Sequence, residues 1–334
     1  MEHAHKRNGN LAYVGVDIGG TNTVIGIFDE SRALLRKRSI PTLLPHLPSK
    51  TDHPAAFYDK LTEDIVALAR EAGCTDGLAA VGMGVPGRID PFLGRAEAAS
   101  NLGWYGVPFA EQMSKRLGVP VRIDNDVRIY ALGELTAGAG QGYRNVLCLT
   151  VGTGIAAAII ADGRIVRGND YYAGEIGHDS VEGHDVPCPC EKRGCVETIV
   201  SAAGIVRLAR ELLVSEGCHS SLRKLGRVPT AFEVYQAAAD GDHAAQAIFR
   251  YVGDVLAAKL LTAVCLLSPD AVIIGGGVAE AGELLLGPVR AKIDAGYVHA
   301  KKPAILKSTL GDTAGLIGAV TYARSANMDD GGHG

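Results

Sequence analysis

Two stretches decide the fold. Leu11-Ala-Tyr-Val-Gly-Val-Asp17-Ile-Gly19-Gly20-Thr21-Asn22-Thr-Val-Ile-Gly-Ile-Phe28-Asp29 is one, and Leu147-Cys-Leu-Thr150-Val-Gly152-Thr153-Gly154-Ile-Ala-Ala-Ala-Ile-Ile160-Ala-Asp162 is the other. Both follow one plan: an apolar β-type run, a Gly/Thr bend, a second apolar run, then an acidic turn. The plan predicts two hairpins, and its repetition predicts two related halves. A plain turn is the commoner origin of a Gly-Gly pair. Two features favour a functional bend: Asp17 ends a buried strand, and Thr21 sets a hydroxyl beside amides that no side chain shields. Such a bend can hold phosphate. Two of them can grip one polyphosphate from opposite sides, with a nucleotide in an interdomain cleft.

The rest of the chain fits an α/β protein of two domains, the number expected for 334 residues. Apolar spacing at Phe57, Leu61, Ile65, Leu68 and Ala69 predicts a helix over 55–72, closed by Gly73. Gly82-Met-Gly84-Val-Pro-Gly87 matches the dinucleotide pattern G-x-G-x-x-G. That pattern must open a helix, whereas Pro86, Gly87 and Pro91 impose an extended, turning path. Its glycines are read instead as letting the backbone approach a ligand. Asn101-Leu-Gly-Trp104 is a loop with the only tryptophan; a ligand-facing asparagine and a core tryptophan beside a turn asparagine are equally compatible with it. Val119-Pro-Val-Arg-Ile-Asp-Asn125-Asp126 is a strand leading into a helix over 127–135, where a polar pair is often only a helix cap. Helices are expected over 201–213, 231–239 and 244–267, and Pro269-Asp-Ala-Val-Ile-Ile274 is a strand ending in Gly275-Gly276-Gly277-Val278.

Gly174-Glu175-Ile-Gly-His178 precedes Cys188-Pro-Cys190-Glu-Lys-Arg-Gly-Cys195-Val-Glu197. One histidine and three cysteines make the donor set of a tetrahedral zinc ion, and four protein ligands leave no open position, so the metal is structural. A disulfide loop is the alternative, but three clustered cysteines in a chain with no secretory leader favour metal. Glu175 and Glu197 are not needed for charge balance and are free to face a polar ligand.

Lys plus Arg number 33 against 37 Asp plus Glu, a net charge of −4 with no basic stripe, which excludes electrostatic recruitment of nucleic acid. Residues 1–10 read as a disordered polar lead without a signal peptide. The most apolar run, 255–267, is too short to span a bilayer. The remaining cysteines, Cys74, Cys148, Cys218 and Cys265, suit reduced thiols in the cytoplasm.

Together Asp17-Ile-Gly-Gly-Thr21, Asn125-Asp126, Thr150–Gly154, Gly174–His178, the cysteine run to Glu197 and Gly275–Val278 resemble the ROK family (repressor, open reading frame, kinase). The resemblance runs in the family's order over almost the whole chain. It implies the actin-like ATPase (ribonuclease H-like) fold, with two α/β domains around a nucleotide and sugar cleft. The small domain is expected at 11–124 plus 312–326, and the large one at 125–311 with a zinc loop at 178–195. It implies ATP-dependent phosphorylation of a sugar hydroxyl, with Mg²⁺, structural Zn²⁺ and a homodimer. By the same resemblance Asp17, Gly19, Gly20, Thr21 and Asn22 form the first phosphate site, and Thr150, Gly152, Thr153 and Gly154 the second. Gly275, Gly276, Gly277 and Val278 meet adenosine. Asp126 is the base. Gly87, Asn101, Asn125, Asp126, Glu175, His178 and Glu197 match sugar-binding positions, and His178, Cys188, Cys190 and Cys195 the metal ligands.

The residue types fit that chemistry in their own right. A primary sugar alcohol is a poor nucleophile and needs a carboxylate to take its proton, while Mg²⁺ and amides offset phosphate charge. A metal-bound histidine can offer its other N–H to the sugar. Three positions depart from the family pattern: Glu191 and Ala156 stand where glycine is common, and Asn22 where lysine is common. The leading expectation is a hexose kinase of glucokinase type acting on the 6-hydroxyl. The alternatives are fructose, mannose, allose, N-acetylglucosamine or N-acetylmannosamine as acceptor, since one contact decides among them. A repressor relative is set aside because only about ten residues precede the first motif, too few for a helix-turn-helix module. A non-catalytic sugar-binding protein conflicts with retention of Asp126 and both bends.

Overall fold

The computed structural model describes residues 11–42, 53–74, 77–100, 102–215, 217 and 219–325. The polar lead, residues 43–52, Asn101 and Cys218 lie outside the described residues. The strands are β1 (Ala12–Ile18), β2 (Asn22–Phe28), β3 (Leu34–Pro41), β4 (Leu78–Val85), β5 (Arg88–Asp90), β6 (Arg95–Ala99), β7 (Trp104–Val107), β8 (Val121–Asn125), β9 (Val146–Val151), β10 (Ile155–Ala161), β11 (Arg164–Val166), β12 (Ala271–Gly275) and β13 (Ala304–Lys307). The helices are α1 (His53–Glu71), α2 (Phe109–Leu117), α3 (Asp126–Ala137), α4 (Glu197–Val200), α5 (Ala202–Val214), α6 (Ala231–Ala239), α7 (His243–Leu267), α8 (Glu283–Gly296) and α9 (Ala314–Arg324).

The chain divides into two units. The first holds the described residues up to Gly138 together with those from Asp312 onward, and the second runs from Ala139 to Gly311. Their sheets share one order, β3-β2-β1-β4-β8 in the first and β11-β10-β9-β12-β13 in the second. In each, three antiparallel strands are followed by two parallel ones. The repetition seen in the two hairpin sequences is therefore a repetition of whole sheets. All five residues of β12 are buried, as a central parallel strand covered on both faces requires. β3 carries Arg36, Lys37 and Arg38 at a sheet edge, where charge discourages pairing with another chain.

The break between the units falls after α3, not at the 124/125 boundary expected from the motifs, because α3 packs on α9. Glycines make that packing close. A β-carbon at Gly133 would meet the Ala314 carbonyl, and one at Gly318 the Ile129 carbonyl. The same helix lies on the sheet: Gly15 faces the Leu316 carbonyl, and Gly82 the Ala319 carbonyl. Gly82 therefore admits a helix backbone, which corrects the expectation that it lets the backbone approach a ligand. β4 runs straight through Gly82 and Gly84, and no helix follows, so the dinucleotide match is empty.

The joint between β8 and α3 is built from charge. The Asp124 and Arg128 side chains are 0% and 3% exposed, and Arg128 Nη1 donates to Asp124 Oδ1 at 3.1 Å. The same oxygen accepts the Asn125 N–H at 2.7 Å. A buried pair is costly to break from one side, so this joint is rigid. Trp104 is fully buried in an aromatic cluster with Phe57 and Phe109, at centroid distances of 5.2 and 5.4 Å. Trp104 is thus a core residue, while the reading of its loop that concerns Asn101 falls outside the described residues.

Candidate active site and metal centre

The β1–β2 bend closes with Gly19 N–H donating to the Asn22 carbonyl at 2.9 Å. Thr42, fully buried at the end of β3, clamps it. Its N–H donates to the Thr21 carbonyl at 2.9 Å and its hydroxyl to the Gly19 carbonyl at 2.8 Å. Nothing in the sequence pointed to Thr42, since its partners lie across the sheet. A β-carbon at Gly20 would meet nothing within 4 Å, and the residue needs no left-handed backbone, so the fold itself does not demand glycine there. The same holds for Gly152 and Gly277, in the two other bends expected to meet nucleotide.

Asp17 ends β1 beneath the first turn of α9, where a side chain at Gly315 would collide with its carboxylate. Over Gly84 it also approaches Asp126: a β-carbon there would lie 3.2 Å from Asp126 Cα and 3.5 Å from Asp17 Oδ1. Part of the Asp17 surface stays open, yet protein surrounds most of it. Burial, then the Asp126 and Asp312 carboxylates, push its carboxyl up to about 7. Asp312, absent from the sequence-based site, thus belongs to its surroundings. A folded pKa above the unfolded one means that the protonated form favours the fold: the stabilisation is complete below about pH 4 and is lost as pH rises through 7. Asp17→Asn is therefore expected to gain on the parent in stability as pH rises. The gain between pH 5 and pH 8 is roughly 2 kcal/mol, allowing for the solvent that reaches the carboxyl. Thermal unfolding of the ligand-free proteins at both pH values checks it; a pH-independent difference would contradict the carboxylate cluster.

Asn125 caps α3, its Oδ1 accepting from Val127 N–H at 3.0 Å and Arg128 N–H at 3.3 Å. Its Nδ2 donates to the Gly87 carbonyl at 3.0 Å. Gly87 has φ of 91°, and a β-carbon there would enter the Ala98 carbonyl, so the turn is fixed from both sides. Asp126 is the first helical residue, half-buried, and its Oδ1 accepts the Val127 N–H at 3.0 Å. Asp17, Gly87, Asn125 and Asp126 are thus brought together in the first unit.

In the second unit β9 and β12 run side by side, with Gly275 opposite Thr150. Gly276, at φ of 84°, lies against the Val151 backbone, where a β-carbon would approach to 2.5 Å. The bend Thr150–Gly154 and the glycine run 275–277 therefore converge. Gly152 N–H donates to the Gly154 carbonyl at 2.9 Å. Glu197 Oε2 accepts the Ile155 N–H at 3.1 Å, a partner that sequence spacing does not reveal.

His178, Cys188, Cys190 and Cys195 bring one donor atom each within 4.8 Å of one another. Cys188 Sγ lies 3.8 Å from His178 Nδ1, and Cys190 Sγ 3.6 Å from Cys195 Sγ. A tetrahedral ion about 2.3 Å from each sulfur needs ligand separations of about 3.8 Å, so the set fits. Burial, then the hydrogen bond with Cys190, push the Cys195 thiol up to about 12. His178 turns its other nitrogen, Nε2, toward Glu175 Oε2 at 3.8 Å. Lys259 on α7 anchors the loop, donating to the Ser180 carbonyl at 2.6 Å and pairing with Asp179 at 2.9 Å. Glu191 adopts φ of 70° and its N–H donates to the Cys188 carbonyl at 3.0 Å. The loop thus makes a left-handed turn, which suits glycine, with a glutamate.

The ROK family profile matches residues 13–326. Glucokinase from Halalkalibacterium halodurans is 36% identical over 315 residues, covering 92% of this chain and 93% of that protein. Glucokinase from Thermotoga maritima is 35% identical over 324 residues, covering 94% and 98%. A ROK family glucokinase from Streptomyces griseus, solved in complex with glucose and AMPPNP, aligns with a TM-score of 0.76 at 31% identity. That alignment covers 94% of this chain and 99% of the other. The fold is the actin-like ATPase fold expected from the motifs. The chain belongs to the ROK family.

Proposed function

We infer that the protein is an ATP-dependent glucokinase that transfers the γ-phosphoryl group of MgATP to the 6-hydroxyl of glucose. The observation that carries this is similarity to glucokinases over more than nine-tenths of the chain, including one solved with glucose and AMPPNP. Asp126 is the base we assign. As the sugar oxygen bonds to the γ-phosphorus and the bond to the β,γ-bridging oxygen breaks, the hydroxyl proton passes to its carboxylate and ADP leaves. The Asp126 backbone is held at the start of α3 by the Asn125 cap and the buried Asp124–Arg128 pair. Asp17, crowded by two other carboxylates, suits a place beside the magnesium of MgATP, whose charge relieves that repulsion. The bends Gly19–Asn22 and Thr150–Gly154 are assigned to phosphate and Gly275–Val278 to adenosine. Gly20, Gly152 and Gly277, which the fold itself leaves bare, let phosphate and nucleotide approach the backbone there.

Zinc is the metal we assign to His178, Cys188, Cys190 and Cys195, because four protein donors with three thiols leave no ligand position open. It would fix the ring of His178, with Nε2 left toward Glu175 for a sugar hydroxyl. Elemental analysis is expected to give about one zinc per chain; a fully active protein without metal would overturn the assignment.

The test of function is ADP release from MgATP against a panel of hexoses and N-acetylhexosamines, each with a no-sugar blank. Glucose is expected to lead. Preference for another sugar would move the acceptor and keep the chemistry, and silence across the panel would refute the kinase reading.

A further inference from the structure

The segment that follows the third cysteine grips the Thr150–Gly154 bend at two points. At its start Glu197 Oε2 accepts the Ile155 N–H at 3.1 Å, and the fit is close: a β-carbon at Gly154 would lie 2.6 Å from that oxygen. At its end Ala202, the first residue of α5, donates its N–H to the Gly152 carbonyl at 2.8 Å. Between the grips, Ile199 and Val200 of α4 are fully buried.

The same segment is set by the metal loop. The Cys195 carbonyl accepts both the hydroxyl and the N–H of Thr198, at 2.7 and 2.9 Å. Val196 N–H donates to the Asp179 carbonyl at 2.9 Å, next to His178. Where Cys195 and His178 sit therefore decides where the Glu197 backbone sits, and the Glu197 carboxylate decides where Gly154 and Ile155 sit.

We propose that Glu197 is a positioning residue through which the four-donor metal loop holds the second phosphate bend in its nucleotide-binding form, so that metal occupancy controls ATP affinity even without sugar. This rests on the nucleotide role inferred for that bend. A metal loop serving the sugar alone would leave nucleotide affinity untouched.

The experiment is calorimetric titration of MgAMPPNP into sugar-free protein, comparing the metal-loaded parent, the chelator-treated parent, Glu197→Gln, Glu197→Ala and Ala202→Pro. Loss of one charge-assisted hydrogen bond corresponds to about tenfold or more in an equilibrium constant. Chelation and Glu197→Ala are each expected to weaken AMPPNP by about that factor. Glu197→Gln should stay near the parent, since its amide oxygen still accepts from Ile155 N–H. Ala202→Pro removes only the N–H to Gly152 at a helix position that proline suits, and should weaken AMPPNP while circular dichroism stays unchanged. Unchanged AMPPNP affinity after chelation and in Ala202→Pro overturns the proposal, and does so even if Glu197→Ala fails to fold. A metal-loaded parent that releases ADP with glucose tests the kinase reading separately. A parent that binds no AMPPNP refutes the nucleotide role itself.

Discussion

Asp126→Asn is expected to lower kcat by about 10²- to 10⁴-fold, the range for loss of a general base, while glucose affinity changes by no more than a few-fold. The substitution keeps the shape, and an asparagine oxygen can still accept the Val127 N–H that Asp126 accepts at 3.0 Å. The helix survives because Asn125, not Asp126, is its cap; loss of the charge in the first turn costs about 0.3–1 kcal/mol. A second signature follows from the carboxylate cluster. Asp126 is one of the charges that raise Asp17, so the variant should lower the pH at which Asp17 titrates. Steady-state ADP release and calorimetric glucose binding, each run on parent and variant, separate the outcomes. Turnover within a few-fold of the parent would remove Asp126 from the role of base.

Gly82→Ala is expected to cost at least about 3 kcal/mol and to lower Tm by about 10 °C, an overpacking effect at the upper end of its usual range. The methyl group would overlap the Ala319 carbonyl, part of a helix backbone with no flexible end to move aside. α9 cannot retreat as a whole either, because it also meets Gly15, Gly133 and Ile129 at closest approach. Gly20→Ala is the control: open space surrounds its β-carbon, and its stability should stay within about 0.5 kcal/mol of the parent. Trp104, the single tryptophan, is buried in the same unit, so its fluorescence follows that unit's unfolding. Equal losses in both variants would show that the α9 contact does not set the cost.

What the sequence disclosed was local. The bends at Gly19–Asn22 and Thr150–Gly154 sit between strands whose apolar runs are read directly, and both hairpins formed. The helix before Ser268 begins at His243 because Asp242 caps it, with Ala244 N–H and Ala245 N–H both at 3.0 Å from its Oδ1. The cysteine spacing likewise encodes a short loop, and its donors converge. Elements whose logic is tertiary stayed hidden. β3 lacks alternation because it is an edge strand with charged residues along it. α8 contains Pro288, and α9 contains Gly315 and Gly318, residues that argue against helix until their neighbours are known. Pro288 lies on Gly253 of α7, where a β-carbon would approach to 2.8 Å, and the α9 glycines serve contacts with Asp17 and Ile129. At the site, Asp17 and Asp126 were legible as strand and helix ends. Thr42, Asp312 and the bond from Glu197 to Ile155 were not, since each acts on a residue distant in the chain.

The position of α9 also sets an order of events during synthesis. The strands it covers, β1 and β4, leave the ribosome early, yet the helix follows the whole second unit. Arg324 Nη1 donates to the Glu30 carbonyl across a separation of 294 residues. Until α9 arrives, Gly15 and Gly82 face an uncovered groove, and the Asp17 carboxylate has no helix end above it. The second unit, continuous in sequence, can complete its sheet while the first is still waiting. The nascent first unit is therefore the part of this chain that depends longest on protection from aggregation.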